Sequence, residues 1–275
     1  MSALKLSFHG TFALKKQDVL LLLEAAETEQ GLNGSLMELV ERTGLGNEKV
    51  LRIKSWAVRS GLVRQNYLSP EAATVRECDP YLTSSITDWF MHFYLSFGDR
   101  GLQTPPANPA EWGGWPYFVF CFLPEHSEFT LDDLIQTSAA VFGIGSLKLL
   151  RTNFRFVLRA YTEVQALWSC QFVQSLGDNR FRSGDAQLPK AELLGYFLAK
   201  LWQRDFGECS TVSLTQLLQQ PMGLAPILGM GDLLPCLQLL ETQGLLRQHD
   251  QHGDLMVTRG WQDPLHLLKK AYDSD

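Results

Sequence analysis

The chain has 275 residues, 45% of them hydrophobic, and a formal net charge of −6. That is enough apolar material to fill a core without metal or disulfide staples, and the acidic balance excludes a protein that coats nucleic acid indiscriminately, so any DNA contact has to be local. The five scattered cysteines form no CxxC pair and read as reduced thiols, no window approaches the ~18 apolar residues of a membrane span, and the start, with Lys5 and His9, lacks a signal-peptide pattern, so a cytoplasmic location is expected.

In chain order, Gln17 to Glu29 carries a broad apolar stripe (Val19, Leu20, Leu22, Leu23, Ala26) and reads as a first helix stopped by Gly31-Leu32-Asn33-Gly34. Ser35-Leu36-Met37-Glu38 has the capping-box pattern and opens a second helix to about Thr43. Gly44-Leu45-Gly46-Asn47 makes a turn, Asn47 is the expected cap of a third helix, and Gly61 is its natural left-handed stop. Leu62 to Leu68 then supplies a small strand or wing. Three short helices, a glycine turn and a strand describe a winged helix-turn-helix.

Asp79-Pro80 opens the next block, with an aromatic helix from about Ser85 to Phe97, a Pro/Gly-rich loop over Gly98 to Gly114, and a second aromatic helix over Trp115 to Leu123. A helix capped by Thr130 and a long helix from Ser146 to Glu163 follow, and Leu176 to Gly184 reads as a polar break. Pro189 to Asp205 is expected to be helical, Ser213-Leu214-Thr215-Gln216 is again a cap, and Leu233 to Thr242 is a helix closed by Gly244. Leu245 to Thr258, turning at His252-Gly253-Asp254, reads as a β-hairpin and gives a second winged-helix silhouette. The capped segments beginning at Ser35, Thr130 and Ser213 echo one another, a pattern that capped amphipathic helices also produce by chance. The expected fold class is mainly α: a winged helix-turn-helix module over 1–75, a helical middle region over 76–185 and a winged-helix-like module over 186–275.

The third helix carries the clearest surface signal. Lys49, Arg52, Trp56 and Arg59 recur at spacings of three, four and three and share a face, while Val50, Ile53 and Ala57 point to the core. With Lys54 and Arg64, the stretch from Asn47 to Arg64 holds five basic residues against Glu48 alone. In the recognition position of a helix-turn-helix such a face suits phosphates and base edges; the alternative is a solvated basic face with Trp56 in the core. Lys148, Arg151, Arg155 and Arg159 form a second basic stripe, opposite Leu150, Phe154, Val157, Leu158 and Tyr161, that fits phosphate tracking, an acidic partner or an ordinary exposed face.

Between Thr211 and Gln262 two basic residues stand against four acidic ones, which favours protein contact over DNA there. Leu224 to Met230 is an apolar patch that a partner is expected to cover. No phosphate loop, dinucleotide fingerprint, nucleophile elbow or HExxH helix is present, so no catalytic residue is named and neither a metal nor a cofactor is expected. His9, Asp79, Asp88 and His92 are conceivable as a nuclease cluster, although hydrogen-bonding roles in the structure explain them as well, and His249-x-x-His252 lies in the expected hairpin without further ligands nearby.

Over nearly its whole length the chain resembles the bacterial domain-of-unknown-function 4007 family. The resemblance rests on Phe8-His9-Gly10-Thr11-Phe12, on Gly44-Leu45-Gly46-Asn47 followed by Ile53 and Trp56, on Asp79-Pro80-Tyr81-Leu82, on Thr87-Asp88-Trp89-Phe90-Met91-His92 and on the basic helix ending in Tyr161. Two positions depart from the family pattern: Gly10 where a Glu is usual, and Asn153 where an Asp is common. The resemblance implies a role beside the genes of DNA phosphorothioation and anti-phage defence. Its expected form is a DNA-binding accessory component with DNA and other proteins of the system as partners. A DNA-nicking enzyme and a winged-helix transcriptional regulator are the alternatives, and a homodimer is left open.

Overall fold

The computed structural model describes residues 8–143, 147–184 and 186–273. It is mainly helical, with small antiparallel sheets. The chain runs three times through a related order of elements. The first pass is α1 (Lys16–Ala26), α2 (Leu36–Thr43), α3 (Asn47–Arg59) and the hairpin β1 (Val63–Arg64) and β2 (Tyr67–Leu68). Two linking helices follow, α4 (Pro70–Cys78) and α5 (Ser85–Leu95).

In the second pass α6 (Gly114–Tyr117) runs on through a π turn (Phe118–Phe122) and a 3-10 turn (Leu123–Glu125), succeeded by β3 (Glu128–Thr130), α7 (Leu131–Phe142), α8 (Leu147–Thr162), β4 (Val173–Gly177) and β5 (Arg180–Ser183). The third pass is α9 (Ala191–Phe206), β6 (Thr211–Ser213), α10 (Leu214–Leu218), α11 (Leu224–Ile227), α12 (Leu234–Thr242), β7 (Leu246–Gln251) and β8 (Asp254–Arg259), closed by α13 (Pro264–Asp273). The last two sheets have the same topology, β3-β5-β4 and β6-β8-β7, with the final strand central. In the first pass the outer strand is reduced to one backbone contact, the Leu32 N–H donating to the Asn66 carbonyl at 2.6 Å.

The local signals behind these elements are the ones the chain spells out. Ser35, Thr130 and Ser213 each cap the middle helix of their pass, and Glu38, Asp133 and Gln216 reach back in a full capping box. Gly44 and Gly61, both left-handed, end α2 and the turn after α3. Two details differ from expectation. Gly46 rather than Asn47 is the N-cap of α3, without a side-chain bond. The expected polar break over Leu176 to Gly184 is instead half of the β4–β5 hairpin, turning on Asp178 and Asn179, both at positive φ, as a two-residue primed turn requires. Ser146, the expected start of the long helix, lies outside the described residues.

One contiguous hydrophobic core joins all three passes. At its centre is α5, buried from Ile86 to Leu95, as a helix that is apolar nearly all round must be. Its Phe93 ring stacks on Phe197 of α9 at 4.5 Å, and Thr87 shares a hydrogen bond with Tyr272 of α13. Its Tyr94 hydroxyl meets that of Tyr196 at 2.7 Å. The patch from Leu224 to Met230, expected to be left for a partner, is covered by the protein itself: Leu224, Ile227 and Leu228 are at most 1% exposed, α11 packs on the π turn, and the Ile227 carbonyl accepts from His92. No described helix is long and apolar enough to cross a membrane.

Candidate nucleic-acid interface

The second pass sets a stripe of basic residues on α8 beside two arginines of its hairpin. α8 buries Leu150, Phe154, Val157, Leu158 and Tyr161 and leaves Lys148, Arg151 and Arg155 exposed, with Arg159 half-buried. This is the amphipathic division its spacing dictates. Beside it stands the β4–β5 hairpin with Arg180 and Arg182. Between helix and hairpin lies a groove of about 260 Å³ lined by Arg151, Arg155 and Arg159 on one side and Asn179 and Phe181 on the other.

Arg151 pairs with Asp132 and Arg159 with Glu163, one helical turn on, while Arg180 and Arg182 share the single carboxylate of Glu128, whose acidity they increase. Among the described residues neither Lys148 nor Arg155 has an acidic partner. Six cations therefore face four carboxylates, counting Asp178 at the hairpin tip. Exposed pairs of this kind are held by little free energy and exchange readily for a phosphate.

α3 is arranged differently. Its Val50, Ile53 and Ala57 are core residues as expected. Trp56, expected on the basic face, is wholly buried: its indole N–H donates to the Phe12 carbonyl at 3.1 Å and its ring meets Phe8 and Trp115 edge-on. Lys49 reaches back to Asp18 of α1 at 2.8 Å. Arg59 pairs with Asp99 and lies over the Phe8 ring. Lys54 is half-buried, and the loss of water around its ammonium lowers its basicity. Arg52 and Arg64 are exposed; the first lies against Gly10, and the second sits 3.7 Å from Glu71. The face that spacing assembles is thus mostly turned toward the segment at residues 8–12 and the loop at residue 99.

That segment links α3 to α8. The His9 ring packs on Phe156 of α8 at 4.4 Å, Arg159 lies over the Phe156 ring at 5.3 Å, and Arg52 flanks Gly10. The two departures from the family pattern, Gly10 and Asn153, fall together here: the His9 Nδ1 contacts the Gly10 carbonyl at 2.9 Å, and Asn153 is a neighbour of the same ring. His9 is 1% exposed, and burial holds its imidazole down at about 4, so it is neutral. Its Nε2 and the Asn153 Oδ1 are both buried without a hydrogen-bond partner, while Asn153 Nδ2 donates to the Leu149 carbonyl at 2.8 Å.

The other residues considered for nuclease chemistry are dispersed. Asp79 accepts from the backbone of Thr83 and Ser84 and from the Thr87 hydroxyl. Asp88 is bound to Lys16 at 2.6 Å and to Ser169. His92 bridges Tyr161 and Ile227. Among the described residues no three His, Cys, Asp or Glu side chains are grouped to hold a metal ion, and His249 and His252 sit on the β7–β8 hairpin and its turn. In the third pass α12, placed as α8 is in the second, has no Lys or Arg and exposes Leu234 and Leu239.

The signal that sequence reasoning missed is the hairpin arginines. Arg180 and Arg182 were spaced two apart, as same-face residues of a strand are, but no strand was expected there. No family model matches the chain, and no curated protein matches it in sequence, so the likeness to the domain-of-unknown-function 4007 family is not matched by a family model. Two solved structures, one of SspB and one of magnesium ion-bound SspB, superpose with a TM-score of 0.68 at 17% and 16% identity, covering 100% of this chain and 88% of theirs. The chain has the fold of SspB.

Proposed function

We propose that the protein is a DNA-binding accessory component of a DNA phosphorothioation and anti-phage defence system, built from three winged-helix-like units over about 1–75, 76–185 and 186–275 that share one core. The pathway is supported by the fold, since SspB is a phosphorothioation-system protein, and by the resemblance in the sequence. The observation that carries DNA binding is the groove of α8 and its hairpin: a helix in the recognition position with Lys148, Arg151, Arg155 and Arg159 on its open side, and a wing with Arg180 and Arg182. Arg52 and Lys54 of α3 and Arg64 of β1 are further basic residues open to a phosphate backbone. Lys49 and Arg59 are bound internally and Trp56 is core, so these three serve the fold. The third unit, acidic and with an apolar α12, is the contact for other proteins of the system.

Fluorescence anisotropy of a labelled duplex across salt concentrations tests the reading. Replacing Lys148, Arg151 and Arg155 together with Ala should flatten the log–log salt dependence by about 0.9 per lost phosphate contact, close to three in all. Equal affinity and slope in a folded triple variant would remove the site. Conversion of supercoiled plasmid to open circle by the pure protein with magnesium would overturn the accessory role in favour of nicking.

A further inference from the structure

A second and larger groove, of about 740 Å³, opens between the β1–β2 hairpin and the Pro/Gly-rich loop over residues 98–112, a segment the DNA-binding reading does not use. Its volume is that of a small-molecule site. Part of the floor is Gly61, at φ +77° and packed so closely on Tyr94 that a Cβ there would meet the ring at 2.5 Å. One wall carries Arg64 and Gln65, the other Arg100, Gln103, Trp112 and the exposed carboxylate of Glu111, so the arginines outnumber the free acid two to one.

The polar groups divide into those already used and those left over. Arg59 and Asp99 neutralise each other at the inner end. Arg100 is exposed and, among the described residues, has no acidic partner; Arg64 is exposed with only a long contact to Glu71. Trp112 is half-buried, and its ring packs on no other aromatic ring among the described residues. The Arg100 guanidinium and that of Arg64, held only by its long contact to Glu71, suit a phosphate through paired N–H donors, the exposed part of the Trp112 indole suits a planar base, and the amides of Gln65 and Gln103 suit the edge of that base. A carboxylate or phosphate ligand without a ring would leave the indole wall unused.

We propose that this groove binds a nucleotide unit, with its phosphate on Arg64 and Arg100 and its base against Trp112. The unit has two sources, a free mononucleotide or one nucleotide of a DNA strand. Gly98, Asp99 and Trp112 also line a narrow cleft that reaches Phe8, His9 and, on the buried face of α8, Val157. Apart from Arg64 the site uses none of the residues assigned to DNA binding, and it does not depend on the α8 groove.

Isothermal titration of the full chain with AMP, and separately with a ten-residue oligothymidylate, tests it. The wild type should bind one probe or both. Arg64→Ala with Arg100→Ala should raise the Kd at least tenfold, and Trp112→Leu should do the same while removing the quenching of tryptophan fluorescence that the ligand causes. Binding of AMP identifies a free nucleotide as ligand, and binding of the oligomer alone identifies a strand. Replacing Lys148, Arg151 and Arg155 should leave AMP binding unchanged, which separates failure here from failure of the α8 reading. If Trp112→Leu does not melt like the wild type, Arg100→Glu, at an exposed and unpaired position, replaces it with the same expected loss. Absence of heat with both probes, or a Kd unaltered in the folded double arginine variant, overturns the proposal.

Discussion

His92 to Phe should make stability less dependent on pH while lowering it at neutral pH. In the core, the Trp115 indole N–H donates to the Tyr161 hydroxyl oxygen at 3.0 Å, the Tyr161 hydroxyl donates to His92 Nδ1 at 2.8 Å, and His92 Nε2–H donates to the Ile227 carbonyl at 2.7 Å. This chain of donors admits one tautomer of a neutral imidazole. Burial accordingly lowers His92 from 6.5 to about 4. The unfolded chain takes up the proton near 6.5 and the folded one only near 4, so the unfolded state binds more protons in that window and stability falls as the pH falls through it. Above 6.5 the contribution is complete, and below 4 the loss is constant. By linkage it amounts to about 2 kcal/mol at pH 5 and about 3 kcal/mol at the acid limit. Phe keeps the ring but strands the Tyr161 hydroxyl and the Ile227 carbonyl, at about 1–3 kcal/mol each. Urea unfolding followed by tryptophan fluorescence should therefore show a gap of several kcal/mol between wild type and variant at pH 7.5, narrowing by about 2 kcal/mol at pH 5. His9, lowered in the same sense, contributes equally to both proteins and cancels. Parallel pH profiles would refute the buried neutral histidine.

Lys49→Ala removes the partner of Asp18, a largely buried carboxylate whose other oxygen already lacks one, and should cost about 1 kcal/mol of stability with no change in duplex affinity, read by melting and anisotropy on the same sample. Gly61→Ala puts a side chain at φ +77° against the Tyr94 ring and should destabilise by more than ~1 kcal/mol in chemical denaturation. Ser35→Ala and Ser213→Ala each delete the side-chain half of a capping box and should lower stability by about 1 kcal/mol, a shift of roughly 2–4 °C in the melting temperature.

Helix ends were legible because their chemistry is local: Ser35 with Glu38 starts a helix and Gly61 ends a turn wherever the rest of the chain lies. The β4–β5 hairpin was not, because Asp178 and Asn179 reach the left-handed region without the glycine that usually announces a primed turn, and its strands are short and mostly polar. On α3, spacing correctly placed Lys49, Arg52, Trp56 and Arg59 on one side of the helix but could not say what stands opposite. Asp18, Phe8 and Asp99, from three separate segments, supply that answer. Leu224 to Met230 failed for the same reason: an apolar run asks to be covered, and only the tertiary fold tells whether a partner or the chain's own middle segment covers it.

α3, α8 and α12 are each the last helix before the hairpin of their pass, although α11 separates α12 from the capped α10, so topology alone gives them similar claim to a groove of DNA. What separates them is where their charges end. On α3 the cations at positions 49 and 59 close ion pairs within the fold, and on α12 there are none to close. On α8 two cations are left without acidic partners among the described residues, and the remaining pairs are at the surface, where water and salt already weaken them. A phosphate backbone competes for pairs of the second kind far more readily than for a bond such as Lys49 to Asp18, whose carboxylate is largely buried and would be stranded by the exchange. On the proposed reading, the basic residues that bind DNA are therefore those whose release costs the fold least, and they lie on the middle unit rather than on the first.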